Sequence, residues 1–129
     1  MTDAVLDAGP LIHLSEIDAL DVLSDLGVLR VSNTVWDEVA AHQSQALKHR
    51  RLSFQRANVS APSADLQALA IAFALDRGEV ESLGLMETYP AAMFLTDDAA
   101  ARLVAEQRGY RVHGTIGCLL YTSPSPRDS

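Results

Sequence analysis

Acidic residues follow two short apolar runs, at the points where each run predicts the end of a buried β-strand. Asp7 closes the run AVLDA, and Asp97 and Asp98 follow the run AMFLT. In parallel α/β sheets, ligand sites lie just beyond the carboxyl ends of the strands. A buried carboxylate is costly unless it is paired or binds a cation. The pattern therefore favours a site for a hard divalent cation, with the Thr96 hydroxyl as a supporting group.

Each of these acids also has a purely structural explanation. Asp7 precedes Gly9 and Pro10, so it could cap a turn, although the cost of burying its charge favours a functional role. One of Asp97 and Asp98 is expected to cap the following helix, which leaves the other free.

Two glutamates lie near predicted helix starts, where the helix dipole favours acids whatever their role. Glu38 lies one turn into the helix after the second strand, and the residue pattern alone leaves its role evenly balanced. Glu79 follows Gly78 and, like Glu81, is by itself better explained as an ordinary first-turn acid.

Strand and helix patterns alternate along the chain. Helical periodicity covers 11–20, 21–26, 66–75 and 79–87, and a later helix runs to Arg108. A further helix begins at Thr34 with Asp37 at the capping-box position, and Asp65 is the expected cap of 66–75. This alternation predicts an α/β fold, a three-layer α/β/α sandwich with a parallel sheet of about four to five strands. Apolar runs and turn signals predict those strands over 4–8, 28–31, 54–59, 92–96 and 110–112.

Composition narrows the class of protein. The 129 residues carry a net charge of −7 and are 48% hydrophobic but only 5% aromatic, which suits one aliphatic-rich domain. The acidity argues against a large phosphate-binding surface, yet a cation site itself concentrates carboxylates. No apolar run approaches the roughly 20 residues that span a bilayer, and the N-terminus lacks signal-peptide features. We therefore expect a cytoplasmic protein without membrane association.

The sequence does not contain the residue patterns of other common catalytic sites. The sequence has no Gly-rich phosphate loop. Ser15 and Ser82 have no suitably placed His and Asp partners, and the single cysteine, Cys118, lies in a segment of unusual character. The histidines do not form a ligand set; they are His13, His42, His49 and His113.

The C-terminal segment CLLYTSPSPRDS breaks the character of the preceding chain. It resembles the conceptual translation of a transposon-type sequencing-library adapter, and a natural flexible tail is the alternative. We expect residues 1–117 to form the natural domain, truncated at its C-terminus, and residues 118–129 to be a non-native, disordered tail.

Three stretches, read together, resemble the PIN domain, specifically the small prokaryotic branch that includes VapC-like toxins. They are VLDAGPLIHL, SNTVWDEV and DRGEVESLGLMETYPAAMFLTDDAAARLVAEQRGYRVHGTIG, and the resemblance spans most of residues 4–117. It implies a PIN-like domain whose four catalytic acids are Asp7, Glu38, Glu79 and Asp98. The third acid is Glu where typical VapC toxins have Asp, and the helix usual after the Gly-Thr pair is replaced by the adapter-like segment.

The resemblance further implies a metal-dependent endoribonuclease, the toxin of a type II toxin–antitoxin pair. Mg²⁺ or Mn²⁺ would be bound by Asp7 and Asp98 with Asp97 beside them, and Glu38 and Glu79 would complete the cluster or orient water. The implied partners are an RNA substrate, a cognate antitoxin and a second copy of the chain. The basic stretch is either an RNA contact or a solvated face, and it consists of Lys48, Arg50, Arg51 and Arg56.

Two alternatives differ in class. A PIN fold that has lost activity would serve only as a binding module. A phosphoacceptor domain of the receiver type also gathers acids at strand ends, but it needs paired acids after the first strand and a Lys after the last. Here Asp7 stands alone and no such Lys occurs, which disfavours the receiver.

Overall fold

A computed structural model describes residues 2–59 and 61–122, which form a five-stranded parallel sheet in the order β3-β2-β1-β4-β5. This confirms the predicted α/β fold. The strands are β1 (Ala4–Leu6), β2 (Val28–Ser32), β3 (Ser53–Ala57), β4 (Met93–Leu95) and β5 (Arg111–His113). The helices are α1 (Ala8–Glu16), α2 (Asn33–His42), α3 (Ala64–Ala72), α4 (Arg77–Thr88), α5 (Ala99–Gln107) and α6 (Thr115–Thr122), with 3₁₀ turns at Leu20–Leu23 and Ala46–Lys48.

The alternation of side chains along β1 builds a core on each face of the sheet. Ala4 and Leu6 pack with residues of α1, α2 and α6, whereas Val5 packs with residues of α3, α4 and α5. Because successive strand residues point to opposite faces, three fully buried positions on the central strand supply both cores. None of the helices within the described residues is long and apolar enough to cross a membrane.

Parallel pairing continues past the central strands and brings two polar residues to one edge. The Asp7 N–H donates to the Leu95 carbonyl at 2.9 Å, and the Thr96 N–H donates to the His113 carbonyl at 2.9 Å. All five strands point the same way, so the residue after each strand emerges at this carboxyl edge. The fold therefore places the ends of β1 and β4 side by side.

Two predicted helix caps were wrong, for the same reason. Helix α2 is capped by Ser32, whose hydroxyl accepts from the Val35 N–H, and α3 is capped by Ser63. In each case an earlier hydroxyl in extended backbone starts the helix, ahead of the predicted Thr34 and Asp65. Thr34 instead donates from its N–H and its hydroxyl to the Glu81 carboxylate at 3.1 and 2.8 Å.

The predicted disordered tail from residue 118 was wrong for residues 118–122. These residues belong to α6, and Cys118 is buried against the core on the α1 side of the sheet. The apolar letters Cys118, Leu119 and Leu120 extend the helical pattern of Ile116, which explains the continuation. Burial also raises the pKa of the Cys118 thiol to about 11. The rest of the predicted tail, 123–129, lies outside the described residues, and its non-native origin stays a prediction.

Candidate metal centre

Three helices begin at aspartates on the carboxyl side of the sheet. The N–H of Ala8 donates to Asp7 at the start of α1, and the N–H of Ala101 donates to Asp98 at the start of α5. Asp76 caps α4 in the same way. The positive end of a helix dipole stabilises an adjacent anion, so each cap offsets part of the repulsion between these acids.

The Thr96 hydroxyl connects two of these caps, Asp7 and Asp98. It donates to Asp7 Oδ2 at 3.0 Å and accepts from the Asp98 N–H at 3.2 Å. Thr96 is fully buried, so its hydroxyl must be satisfied inside the fold. The predicted supporting residue thus fixes the orientation of Asp7 relative to the start of α5.

The charged form of Asp7 is energetically unfavourable at this position. It is only 8% exposed, and burial raises the pKa of its carboxyl to about 6. Hydrogen bonds from Ala8 and Thr96 oppose this shift, whereas the nearby charges of Asp76 and Glu38 reinforce it. A bound cation would lower the cost of ionising this buried carboxyl, because it would offset the repulsion from the neighbouring acids.

Glu79 meets Asp98 across the same edge. The pKa of Glu79 is raised to about 7, mainly by burial and also by the charges of Asp76 and Asp98, while a backbone hydrogen bond from Asp76 opposes the shift. Glu79 and Asp98 therefore lie close enough for their carboxyl groups to interact. Because like charges repel, a bound cation would lower the cost of ionising Glu79 beside these acids.

The four acids implied by the resemblance therefore approach one another from different elements. Glu38 lies on α2, exposed, and its charge reaches Asp7, while Glu79 and Asp98 come from the starts of α4 and α5. The Glu79 arm also accepts from the Asp76 N–H at 2.8 Å, which completes a reciprocal capping box. Their catalytic roles stay predictions.

Asp76 is a fifth acid that sequence reasoning missed. The charge of Asp76 raises the pKa of both Asp7 and Glu79. The spacing Asp76-Arg77-Gly78-Glu79 is a capping-box signature and could have revealed it. Gly78 lies between these acids, since a Cβ there would be 3.5 Å from Asp76 Oδ1 and 3.9 Å from Asp7 Oδ1.

Asp97, predicted as a metal ligand beside Asp98, turns to a different set of partners. Its carboxylate accepts from the Thr115 N–H at 2.6 Å and the Thr115 hydroxyl at 2.5 Å, and it pairs with His13 Nδ1 at 2.8 Å. Burial opposes ionisation, but these hydrogen bonds lower the pKa of Asp97. Adjacent residues diverge after a strand, so Asp97 anchors α6 while Asp98 joins the acids.

We expect Asp97→Ala to destabilise the fold by about 1–2 kcal/mol, because α6 loses the acceptor at its first residue. The affinity for Mn²⁺ should stay at the wild-type value. Thermal melts and calorimetric titration check both expectations, with Asp98→Ala as the matched variant that should lose affinity. Equal losses of Mn²⁺ affinity in the two variants would return Asp97 to the ligand set.

The basic stretch predicted as an RNA contact is divided between two edges of the sheet. Lys48, Arg50 and Arg51 precede β3 and so lie toward the amino edge, whereas Arg56 is near its carboxyl end. Arg56 donates to Asn33 Oδ1 at 2.6 Å and pairs with Asp37 at 3.0 Å. The four residues therefore do not form one patch, and only Arg56 lies on the side of the acids.

The acids offer the donor chemistry that a hard cation requires. Mg²⁺ and Mn²⁺ prefer oxygen ligands, and Asp7, Glu79 and Asp98 are each anchored through one oxygen by a backbone N–H. Within residues 2–59 and 61–122, no three acidic, histidine or cysteine side chains already surround one point closely enough to hold an ion. These residues offer the oxygen ligands that the cation prefers, and binding it would require Glu79 to be ionised.

Comparison with known proteins agrees with this architecture. A family model described as DUF3368, PIN domain, matches residues 3–123. The fold is similar to the PilT N-terminus domain protein SSO1118 from Sulfolobus solfataricus P2, with a TM-score of 0.71, 11% identity and 96% of each chain covered. It is also similar to PAE2754 from Pyrobaculum aerophilum, with a TM-score of 0.62, 13% identity, and 95% of this chain and 90% of that chain covered. No curated protein sequence gives a significant match. Because the family model covers nearly the whole chain, this protein belongs to the PIN-domain family DUF3368.

Proposed function

We propose that this chain is an endoribonuclease that depends on Mg²⁺ or Mn²⁺. The observation that carries the proposal is the group of buried carboxyls, Asp7 and Glu79, whose pKa values are raised to about 6 and 7 beside further acids. Burying mutually repelling acids destabilises a protein, so a group of them indicates a functional site. Membership of a family whose members are commonly nucleases adds support.

In this proposal the cation would be held by Asp7, Glu79 and Asp98, with Glu38 facing them from α2. When bound, it would supply charge for the phosphate and would acidify water. Thr96 holds the Asp7 carboxylate in place, and the Asp76 N–H holds Glu79. The starts of α1, α4 and α5 contribute partial positive charge, which favours a phosphate at this edge.

The test is cleavage of a labelled RNA by the purified chain. Cleavage is expected with Mn²⁺ or Mg²⁺, and it should stop with excess chelator and resume when the cation is restored. Calorimetric titration with Mn²⁺ should give saturable binding, with protons released as Asp7 and Glu79 ionise. Cleavage that persists in chelator contradicts the proposal. Absence of both cleavage and Mn²⁺ binding would favour the inactive binding module.

The toxin assignment is the finer part of the proposal. It rests on the sequence resemblance to VapC-like toxins, and it implies a cognate antitoxin as partner. Two exposed apolar side chains, Ile17 on the α1 side and Ile116 on α6, are 59% and 73% exposed and could be covered by a protein partner. The test is co-expression with the product of a small open reading frame immediately upstream. Its copurification with the chain and suppression of cleavage are the expected results.

A further inference from the structure

A groove lies next to the acids at the carboxyl edge of the sheet. Asn33 follows β2, Asn58 follows β3, and Arg77 follows the cap residue Asp76 directly in sequence. The groove has a volume of about 340 Å³, close to the lower limit for small-molecule pockets, so it suits one small planar group. It is lined by Asn33, Asn58, Val59, Pro62, Arg77 and Glu81.

The polar side chains of the groove are held in position before any ligand arrives. Arg56 donates to Asn33 Oδ1, and the Asn33 amide donates to Asn58 Oδ1. This chain of donors orients both amides. The Asn58 NH₂ group then remains as a donor for the edge of a ligand, because an amide carries two donor hydrogens.

The Arg77 guanidinium carries the positive charge of the groove, and it is held through its Nε atom. Arg77 donates from Nε to Glu81 at 3.0 Å, and Glu81 is fixed in turn by Thr34. The Arg77 side chain is 84% exposed, so its terminal nitrogens face solvent where a phosphate or a base could meet them.

The apolar wall is positioned by a close approach to α4. A Cβ at Gly84 would lie only 2.6 Å from Val59 Cγ1 and 4.0 Å from Pro62 Cγ, so only glycine permits this packing. Val59 and Pro62 thus supply the apolar part of the lining, and the amides supply the polar part. A planar ring with a polar edge matches both sides of the groove.

We propose that this groove is a nucleobase subsite, which receives one unpaired base of the RNA beside the acids. The proposal rests on the proposed ribonuclease function. With a net charge of −7, the chain can gain little affinity from phosphate neutralisation, so contacts to a base must contribute. A base can enter only when it is splayed out of a helix, which makes single-stranded RNA the substrate.

The test measures RNA binding separately from cleavage. In the Asp7→Asn background, fluorescence anisotropy compares a labelled single-stranded oligoribonucleotide with the same sequence closed into a hairpin stem. Asn58→Ala and Arg77→Ala should each weaken single-strand binding about 10-fold, and Asn58→Asp, which keeps the shape but removes the donor, should do the same. Gln107→Ala and Arg111→Ala, at exposed residues toward the opposite edge, are the matched controls and should leave affinity unchanged.

The outcomes separate this proposal from the nuclease proposal. If the groove variants bind like the controls, or the stem binds as tightly as the single strand, the subsite is overturned, while cleavage by the wild type would still support the nuclease. If the groove variants lose binding but the wild type cleaves nothing with Mn²⁺, the subsite stands and the nuclease falls. In the active enzyme, Asn58→Asp should raise KM and leave kcat near the wild-type value.

Discussion

Asp7→Asn is expected to reduce Mn²⁺-dependent RNA cleavage by at least about 100-fold, since even residues that only orient metal ligands cost 10- to 100-fold. The substitution removes the carboxylate charge but keeps the shape. Asparagine remains a good helix cap, and its oxygen can still accept from the Ala8 N–H. The Thr96 hydroxyl can accept from the new amide, so the two side chains stay hydrogen-bonded and only the Thr96 O–H loses its acceptor.

The same variant should be more stable than the wild type when no cation is present. A pKa raised to about 6 from the ordinary aspartate value corresponds to roughly 3 kcal/mol against the ionised form at pH 8. Losing part of the charged hydrogen bonding returns about 1 kcal/mol, so a net gain of about 2 kcal/mol is expected. Urea unfolding in chelator measures it.

Asp3→Asn is the matched control for both effects. Asp3 precedes β1 at the opposite edge of the sheet, where it pairs with Arg30 and accepts from the Val28 N–H. These hydrogen bonds lower the pKa of Asp3, so its removal should not stabilise the fold and should not affect cleavage. Full cleavage by Asp7→Asn, or a stability change equal to that of Asp3→Asn, would contradict the assigned role.

The stability of the metal-free protein should fall as pH rises from 5 to 8. Asp7 and Glu79 have raised pKa values, about 6 and 7, so the folded chain retains protons that the unfolded chain has already released. Where the native state binds more protons, the free energy of unfolding decreases with pH. The contribution of Asp7 alone is roughly 3 kcal/mol over its whole window, from the free aspartate value of about 4 to pH 6, and roughly 1.4 kcal/mol of it falls above pH 5.

Saturating Mn²⁺ should reverse this trend, because the bound cation requires the ionised carboxylates and its affinity rises as they deprotonate. Thermal melts at pH 5 and pH 8, in chelator and in Mn²⁺, give the four values to compare. In the double variant Asp7→Asn with Glu79→Gln, which keeps the capping box, the difference from wild type isolates these two acids. An unchanged pH profile in that double variant would refute the linkage.

The layout of the fold follows from the sequence because its signals are local and repeated. Alternating apolar runs and helical stripes predict a parallel sheet of about four to five strands, and the structure has five. Cap positions were less predictable, since Ser32 and Thr34 are both good caps two residues apart. The backbone conformation of Ser32 decides between them, and it depends on where β2 ends.

The candidate site was predictable only in part for a related reason. Asp97 and Asp98 are adjacent and identical in type, so no local pattern tells which one faces the other acids. Asp97 instead accepts hydrogen bonds from Thr115, which lies eighteen residues further along the chain at the start of α6. Asp76 was missed because its capping role is ordinary, and its charge matters only when folding brings it to Asp7.

Most acids at this edge also hold the fold together. Asp7, Asp76 and Asp98 each start a helix, and Glu79 completes a capping box. A descendant lineage that no longer cut RNA would still be selected to keep Asp, Asn, Ser or Thr at those three cap positions. Among the described residues, the Glu38 carboxylate accepts no hydrogen bond, so evolution could discard it first. Its replacement in a relative would be the earliest sequence sign of an inactive lineage.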